Sequence, residues 1–150
     1  MIAGLRQAVP ADLAAVQALV AQAYGPYLAE IGVRPGPMDE DYAALIAEGR
    51  VQVVERGAGV VALLVLIPEA DAMLLENVAV APVARGEGLG QALLALADAQ
   101  ARAARYRVIR LYTHEKMVRN QAIYARWGYV ETRRGVEHGL ARVFMEKVLD

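Results

Sequence analysis

The chain has 150 residues, is 57% hydrophobic with a mean hydropathy of +0.28, carries a net charge of −1 and contains no cysteine. These values exclude intrinsic disorder, a disulfide scaffold, thiolate zinc sites and a cysteine nucleophile, and the neutral balance argues against a nucleic-acid partner. The longest apolar run, residues 58–67, contains Gly59 and stops at Pro68, about half of the roughly 20 residues a spanning helix needs, so no membrane partner is expected.

No linker, repeat or charge block divides the sequence, and a single domain over residues 1–150 is expected. The start lacks a basic-then-apolar leader and cysteine is absent, so a cytoplasmic location is expected. Residues 5–9 read as a short strand ended by Pro10. A helix follows from Asp12 to about Tyr24, with Leu13, Val16, Leu19 and Val20 at helical spacing. Residues 25–38 hold Pro26, Pro35 and Pro37 with Gly32 and Gly36, and predict a bent helix and then a loop. Residues 39–48 predict a second short helix, with Asp39 as N-cap and Gly49 as its stop.

Strands at 51–55 and 60–67 flank a turn at 56–59. The nearly continuous apolar strand Met73–Val80 predicts burial on both faces. A glycine-rich turn then opens a long helix at about 89–104, followed by a strand at 107–113, a helix at 117–127 stopped by Gly128, and strands at 129–134 and 142–148 joined across 135–139. The order β-α-α-β-β-β-α-β-α-β-β contains one strand-helix-strand unit, hence one parallel pair with a right-handed crossover. The remaining hairpins make the sheet mixed, in an α/β layer packing.

The feature that carries chemistry is Arg85-Gly86-Glu87-Gly88-Leu89-Gly90, placed after a buried strand and at the start of a helix. Its glycines allow close backbone approach, and the first helical amides lack internal partners and carry the positive end of the dipole. Such a turn is either an anion site suited to a pyrophosphate or a tight connection without a ligand. A P-loop would need Gly-Lys-Ser/Thr, whereas Gly90 is followed by Gln91 and Ala92. A dinucleotide fingerprint would need G-x-G-x-x-G inside a βαβ unit, but the spacing is G-x-G-x-G after a hairpin.

Arg85-x-x-Gly88-x-Gly90, after a strand ending Asn77-Val78-Ala79-Val80, resembles the acetyl-CoA motif of the GNAT superfamily of N-acetyltransferases. A second block, residues 117–129 with Tyr124 and Gly128-Tyr129, resembles that family's tyrosine-bearing helix. The resemblance spans essentially the whole chain. It implies a mostly antiparallel sheet with a splayed parallel strand pair and helices on both faces. It implies acetyl-CoA as cosubstrate and no metal, with the pyrophosphate on the amides of Arg85, Gly86, Glu87, Gly88, Leu89 and Gly90. The pantetheine arm would run along Val78, Ala79 and Val80. Tyr124 would sit near the thioester sulfur as proton donor; otherwise it is a half-buried aromatic with a satisfied hydroxyl. The family commonly has asparagine where this chain has Met117. Asn120, one turn before Tyr124, is left either to bind the pantetheine or to cap a neighbouring backbone group.

An amine acceptor must lose a proton. Glu76 is the candidate base, direct or through water: strand alternation sets it on the side of Val78 and Val80, and a carboxylate in an apolar strand is costly unless paired or functional. Its alternatives are holding a cationic acceptor without moving protons, or a salt bridge to a neighbouring arginine such as Arg110. His114 and Glu115 end the neighbouring strand and could face the cleft, the histidine as a base, but a solvated loop position is the expectation for His114; His138 is expected in a turn. In the fold that the resemblance implies, the first helices cover the acceptor site. There Tyr24 and Tyr27 are substrate-wall candidates together with Glu76, and Met38, Tyr42, Glu30, Asp39, Glu40 and Asp41 stand in the same stretch. Residues 135–139 are a further candidate wall.

The function implied is acetyl transfer to a primary amine, of a small molecule or a peptide, by direct attack in a ternary complex. The alternative is a catalytically inactive acetyl-CoA-binding sensor or partner-binding module. The exposed last strands suit a homodimer.

Overall fold

The backbone of the computed structural model follows one seven-stranded sheet, in the order β1-β2-β3-β4-β5-β7-β6. It describes residues 2–32, 34, 36–57 and 59–150; Ala58 of the expected 56–59 turn and Pro35 of the expected 25–38 connection lie outside them. The strands are β1 (Leu5–Gln7), β2 (Val51–Arg56), β3 (Gly59–Pro68), β4 (Met73–Val80), β5 (Val108–His114), β6 (Val130–Glu137) and β7 (Leu140–Val148). Every neighbouring pair is antiparallel except β4–β5, which is parallel. The helices are α1 (Leu13–Tyr24), α2 (Leu28–Ile31), α3 (Tyr42–Ala47), α4 (Leu89–Ala103) and α5 (Val118–Arg126). Among the described residues no helix is long and apolar enough to cross a membrane.

The sheet separates two cores. On one face α1, α2 and α3 set Val16, Leu19, Val20, Ile31, Leu45 and Ile46 against Val51, Val53, Leu63 and Val65. On the other, α4 sets Leu89, Leu93, Leu94 and Ala97 against Leu64, Leu75, Ile109 and Leu111, with Tyr124 of α5 and Trp127 just past its end packed alongside. Leu63, Leu64 and Val65 of β3 are consecutive and fully buried, as a strand covered on both faces requires. Truncating such a residue, Leu64→Ala for example, removes contacts worth about 2–5 kcal/mol.

Two local expectations are corrected. Asp41, not Asp39, caps α3: its Oδ1 accepts from the Ala44 amide at 3.1 Å. Asp39 closes a 3-10 turn, Gly36–Asp39, and pairs with Arg34 instead. The segment 135–139 is not a loop wall. β6 and β7 stay paired up to Glu137↔Leu140, and His138 and Gly139, at φ 53° and 77°, make a two-residue hairpin turn.

The decisive irregularity lies in β4. Its register with β3 runs Val65↔Asn77 and then Leu66↔Leu75, so Glu76 is an extra residue. A bulge of this kind bends and twists the strand. The parallel pairing of β4 with β5 stops just before it, at Leu74↔Arg110. β4 then follows β3 to Val80 while β5 follows β7 to His114, and a gap opens between them.

Candidate active site

The gap is a solvent-open cleft of about 500 Å³, walled by residues 75–77 of β4, residues 111–114 of β5, Asn120 and Tyr124 of α5, and Tyr24 of α1. Its main-chain side is β4. The Ala81 amide donates to Val61 on the β3 side. Backbone groups alternate along a strand, so those of Val78 and Val80 point into the gap. Those of Ala79 point to β3, and its side chain lies in the core beneath α1; Ala79 therefore offers the gap no polar group.

At the far end of β4 the chain makes a 3-10 turn, Pro82–Ala84, and enters the glycine loop. Arg85, Gly86, Glu87 and Gly88 are exposed, and Leu89 is buried. Gly88 has φ 75° with open space where a Cβ would stand, so glycine is needed there for backbone conformation rather than for room. The Ala92 amide donates to Gly88 O, which leaves the amides of Leu89, Gly90 and Gln91 without helical partners. The Glu87 carboxylate is drawn away to Arg56, so the loop presents main chain.

The other end is built of side chains. The bulge turns Glu76 away from Val78 and Val80 and onto the face of Asn77, opposite to what alternation predicts. There both Glu76 oxygens accept from Tyr112 Oη, at 3.1 and 3.2 Å. The alternative of a bond to Arg110 fails, because Arg110 is engaged by Asp71, Glu69 and Glu146. Burial, reinforced by hydrogen-bond contact with Glu40 and by its charge, pushes the Glu76 carboxyl up to about 8. Tyr112 and the guanidinium of Arg142 act in the opposite direction. That guanidinium lies 4.1 Å over the Tyr112 ring and pairs with Glu137.

Tyr124 reaches the cleft from α5. Its ring stands edge-on to Tyr129, centroids 5.9 Å apart. The helix end is anchored by Trp127 Nε1, which donates to Asp98 Oδ2 at 3.2 Å, and Asp98 is paired with Lys147 at 2.5 Å. Burial pushes the Tyr124 phenol up to about 12, so it stays protonated at neutral pH. Among the described residues no hydrogen-bond partner holds its hydroxyl, unlike the satisfied aromatic it was weighed against.

A family model described as an acetyltransferase (GNAT) domain matches residues 45–131. The chain belongs to that family. Solved GNAT structures superpose along its whole length. The PaiA N-acetyltransferase of Thermoplasma acidophilum, in complex with coenzyme A, has a TM-score of 0.76 at 16% identity, covering 96% of this chain and 97% of that one. A ribosomal-protein-alanine N-acetyltransferase from Brucella melitensis gives 0.70 at 26% identity, covering 97% and 99%. N-acetylglutamate synthase from Neisseria gonorrhoeae, complexed with coenzyme A and N-acetyl-glutamate, gives 0.71 at 18%, covering 97% of this chain and 35% of that one. No protein of curated function matches the sequence. The mixed sheet with its splayed parallel pair is thus the GNAT fold that the glycine loop and the tyrosine helix implied.

Within this GNAT domain the remaining expected residues divide. Asn120 lines the cleft. Tyr24 does too, but its hydroxyl is committed: it donates to Asn77 Oδ1 at 2.7 Å, Asn77 Nδ2 donates to Tyr42 Oη at 3.0 Å, and Tyr42 donates to Pro37 O. That chain of bonds ties α1, β4, α3 and the preceding turn into one wall. Tyr27 is half-buried against the α1 core and lies close enough to Tyr124 to act on its phenol. His114, expected in solvent, is the buried last residue of β5. Its Nδ1 accepts from the Lys116 amide, and burial lowers its pKa, so it stands neutral. Tyr112 and Arg142 were missed. Their one sequence signal was alternation with Arg110 and Phe144, and that marks a face of the sheet without saying that Glu76 reaches it.

Proposed function

We propose that this GNAT acetyltransferase transfers the acetyl group of acetyl-CoA to a primary amine by direct attack within a ternary complex. The observation that carries the reading is one cleft holding a carboxyl of raised basicity, Glu76, and a protonated, unpartnered phenol, Tyr124. Acetyl-CoA supplies the acyl group as an activated thioester. The main chain of Val78 and Val80 would pair with its extended arm. The amides at the start of α4 would hold its pyrophosphate, and Asn120 would contact the arm from α5. Two structural neighbours were determined with coenzyme A, which supports acetyl-CoA as the cosubstrate.

Glu76 takes the proton that the acceptor ammonium must lose before its nitrogen can attack. A carboxyl that titrates near 8 is a far better match to an amine than an ordinary glutamate. As the new carbon–nitrogen bond forms and the carbon–sulfur bond breaks, Tyr124 Oη gives its proton to the departing sulfur. Without cysteine, the chain has no thiol to carry the acyl group, which supports direct transfer. Titration calorimetry with acetyl-CoA and thiol release over a panel of amines test the reading. Binding with turnover is expected. No binding at millimolar acetyl-CoA overturns it, and binding without transfer to any amine points instead to a sensor module.

A further inference from the structure

Below the cleft the sheet face carries a second concavity. An open groove of about 860 Å³ runs over β5, β7 and β6. It meets the cleft at Leu111 and Tyr112, which line both, and cleft and groove together are here called the channel. Of the strands that floor the groove, β7 is paired on both sides, β6 is the outer strand of the sheet, and β5 is unpaired toward β4 beyond Arg110. Over β7 a ligand is read by side chains. The aromatic faces are taken: Arg133 lies 3.7 Å over Phe144 and Arg142 covers Tyr112.

What remains is charge. Closing the set of ion pairs around the channel gives six carboxyls, Glu40, Glu69, Asp71, Glu76, Glu137 and Glu146, against three arginines, Arg110, Arg133 and Arg142. Even with Glu76 protonated, a surplus of two negative charges is left, in a chain whose net charge is only −1. The surplus is uneven. Asp71 satisfies Arg110 with two hydrogen bonds, at 3.1 and 3.3 Å. Glu69 and Glu146 stand off at 3.7 and 3.4 Å with acceptor capacity to spare. Arg110 is paired with Glu146 across the strands and Tyr112 with Phe144. The Glu69–Glu146 end therefore lies two residues along β5 from the Glu76 end, about 7 Å.

We propose, resting on the function above, that the acceptor is a linear polyamine. Its reacting amine sits at Glu76, and its next ammonium lies three or four carbons away between Glu69 and Glu146. A flexible polycation suits a channel with surplus carboxylates and covered aromatic faces.

The experiment compares putrescine with butylamine as acceptors for acetyl-CoA, in the wild-type protein and in the double variant Glu69→Gln/Glu146→Gln. The expected ratio of kcat/KM, putrescine over butylamine, is about tenfold or more in the wild type, and it falls toward one in the variant. A wild-type ratio near one overturns the polyamine assignment, and so does a ratio that survives in the variant. Equal transfer to both amines leaves the proposed function standing, and transfer to neither overturns the polyamine assignment while the wider amine panel tests the function.

Discussion

The two ends of the cleft present different chemistry to a ligand. Toward the glycine loop the exposed groups are main chain: the gap-side edge of Val78 and Val80 and the first amides of α4. Beyond Glu76 they are side chains, and each depends on another: Glu76 on Tyr112 and Glu40, Tyr112 on Arg142, Arg142 on Glu137. A main-chain surface is specified by a few backbone torsions and is indifferent to most side-chain changes. A side-chain surface is specified by registry and retuned by single substitutions. One end is thus suited to an invariant ligand and the other to a ligand that differs between related proteins.

The sharpest test of that division sits where the ends meet. Tyr124→Phe should lower kcat about 100-fold with little change in acetyl-CoA affinity by calorimetry; unchanged turnover would remove the phenol from the chemistry. Glu76→Gln should cost nearly as much at neutral pH and abolish the inflection near pH 8 in kcat/KM. It carries a second signature. A carboxyl whose folded pKa is raised from 4.5 to about 8 binds its proton more tightly in the folded state. Stability is therefore lost as pH climbs through that interval, and the glutamine variant should melt higher than the wild type at pH 9. Equal melting temperatures there would contradict the buried, protonated carboxyl.

Gly88→Val probes the main-chain end alone. Nothing crowds the position, but φ 75° strains a β-branched residue, so acetyl-CoA affinity should fall about tenfold with the amine KM nearly constant. A matching loss in amine KM would mean that the two ends are not separable. The smallest effects belong to the side-chain end. Glu40→Gln removes a group that raises Glu76 and should move the pH inflection down. Tyr112→Phe removes a hydrogen bond that lowers it and should move the inflection up. Shifts of the same sign would break the network as described.

The difference between the ends also explains what was legible beforehand. The glycine loop, the Tyr124 helix and the parallel pair were readable because spacing alone specifies them: three glycines after an apolar strand, a tyrosine before Gly128-Tyr129, one strand-helix-strand unit. The side of the sheet to which Glu76 points was not. Alternation along Met73–Val80 is sound for Val78, Ala79 and Val80, but the surplus residue is visible only in the pairing with β3, which no pattern within β4 encodes. Tyr24 lines the cleft, yet its bond to Asn77 joins residues 53 positions apart. Asp39 and Asp41 were equivalent as caps until the turn Gly36–Asp39 used the first of them.

Inserting one residue into a strand normally reverses every side chain that follows it and ruins a packed core. In β4 the surplus is absorbed in place. Leu75 before it and Val78 after it serve the same α4-side core, while Asn77 and Ala79 keep to the other face. Position 76 therefore belongs to neither core. Like a tool-holder in a fixed machine, it can exchange its functional group by point substitution while both cores stay as they are, and descendants of this sheet can acquire a different acceptor chemistry without first having to refold.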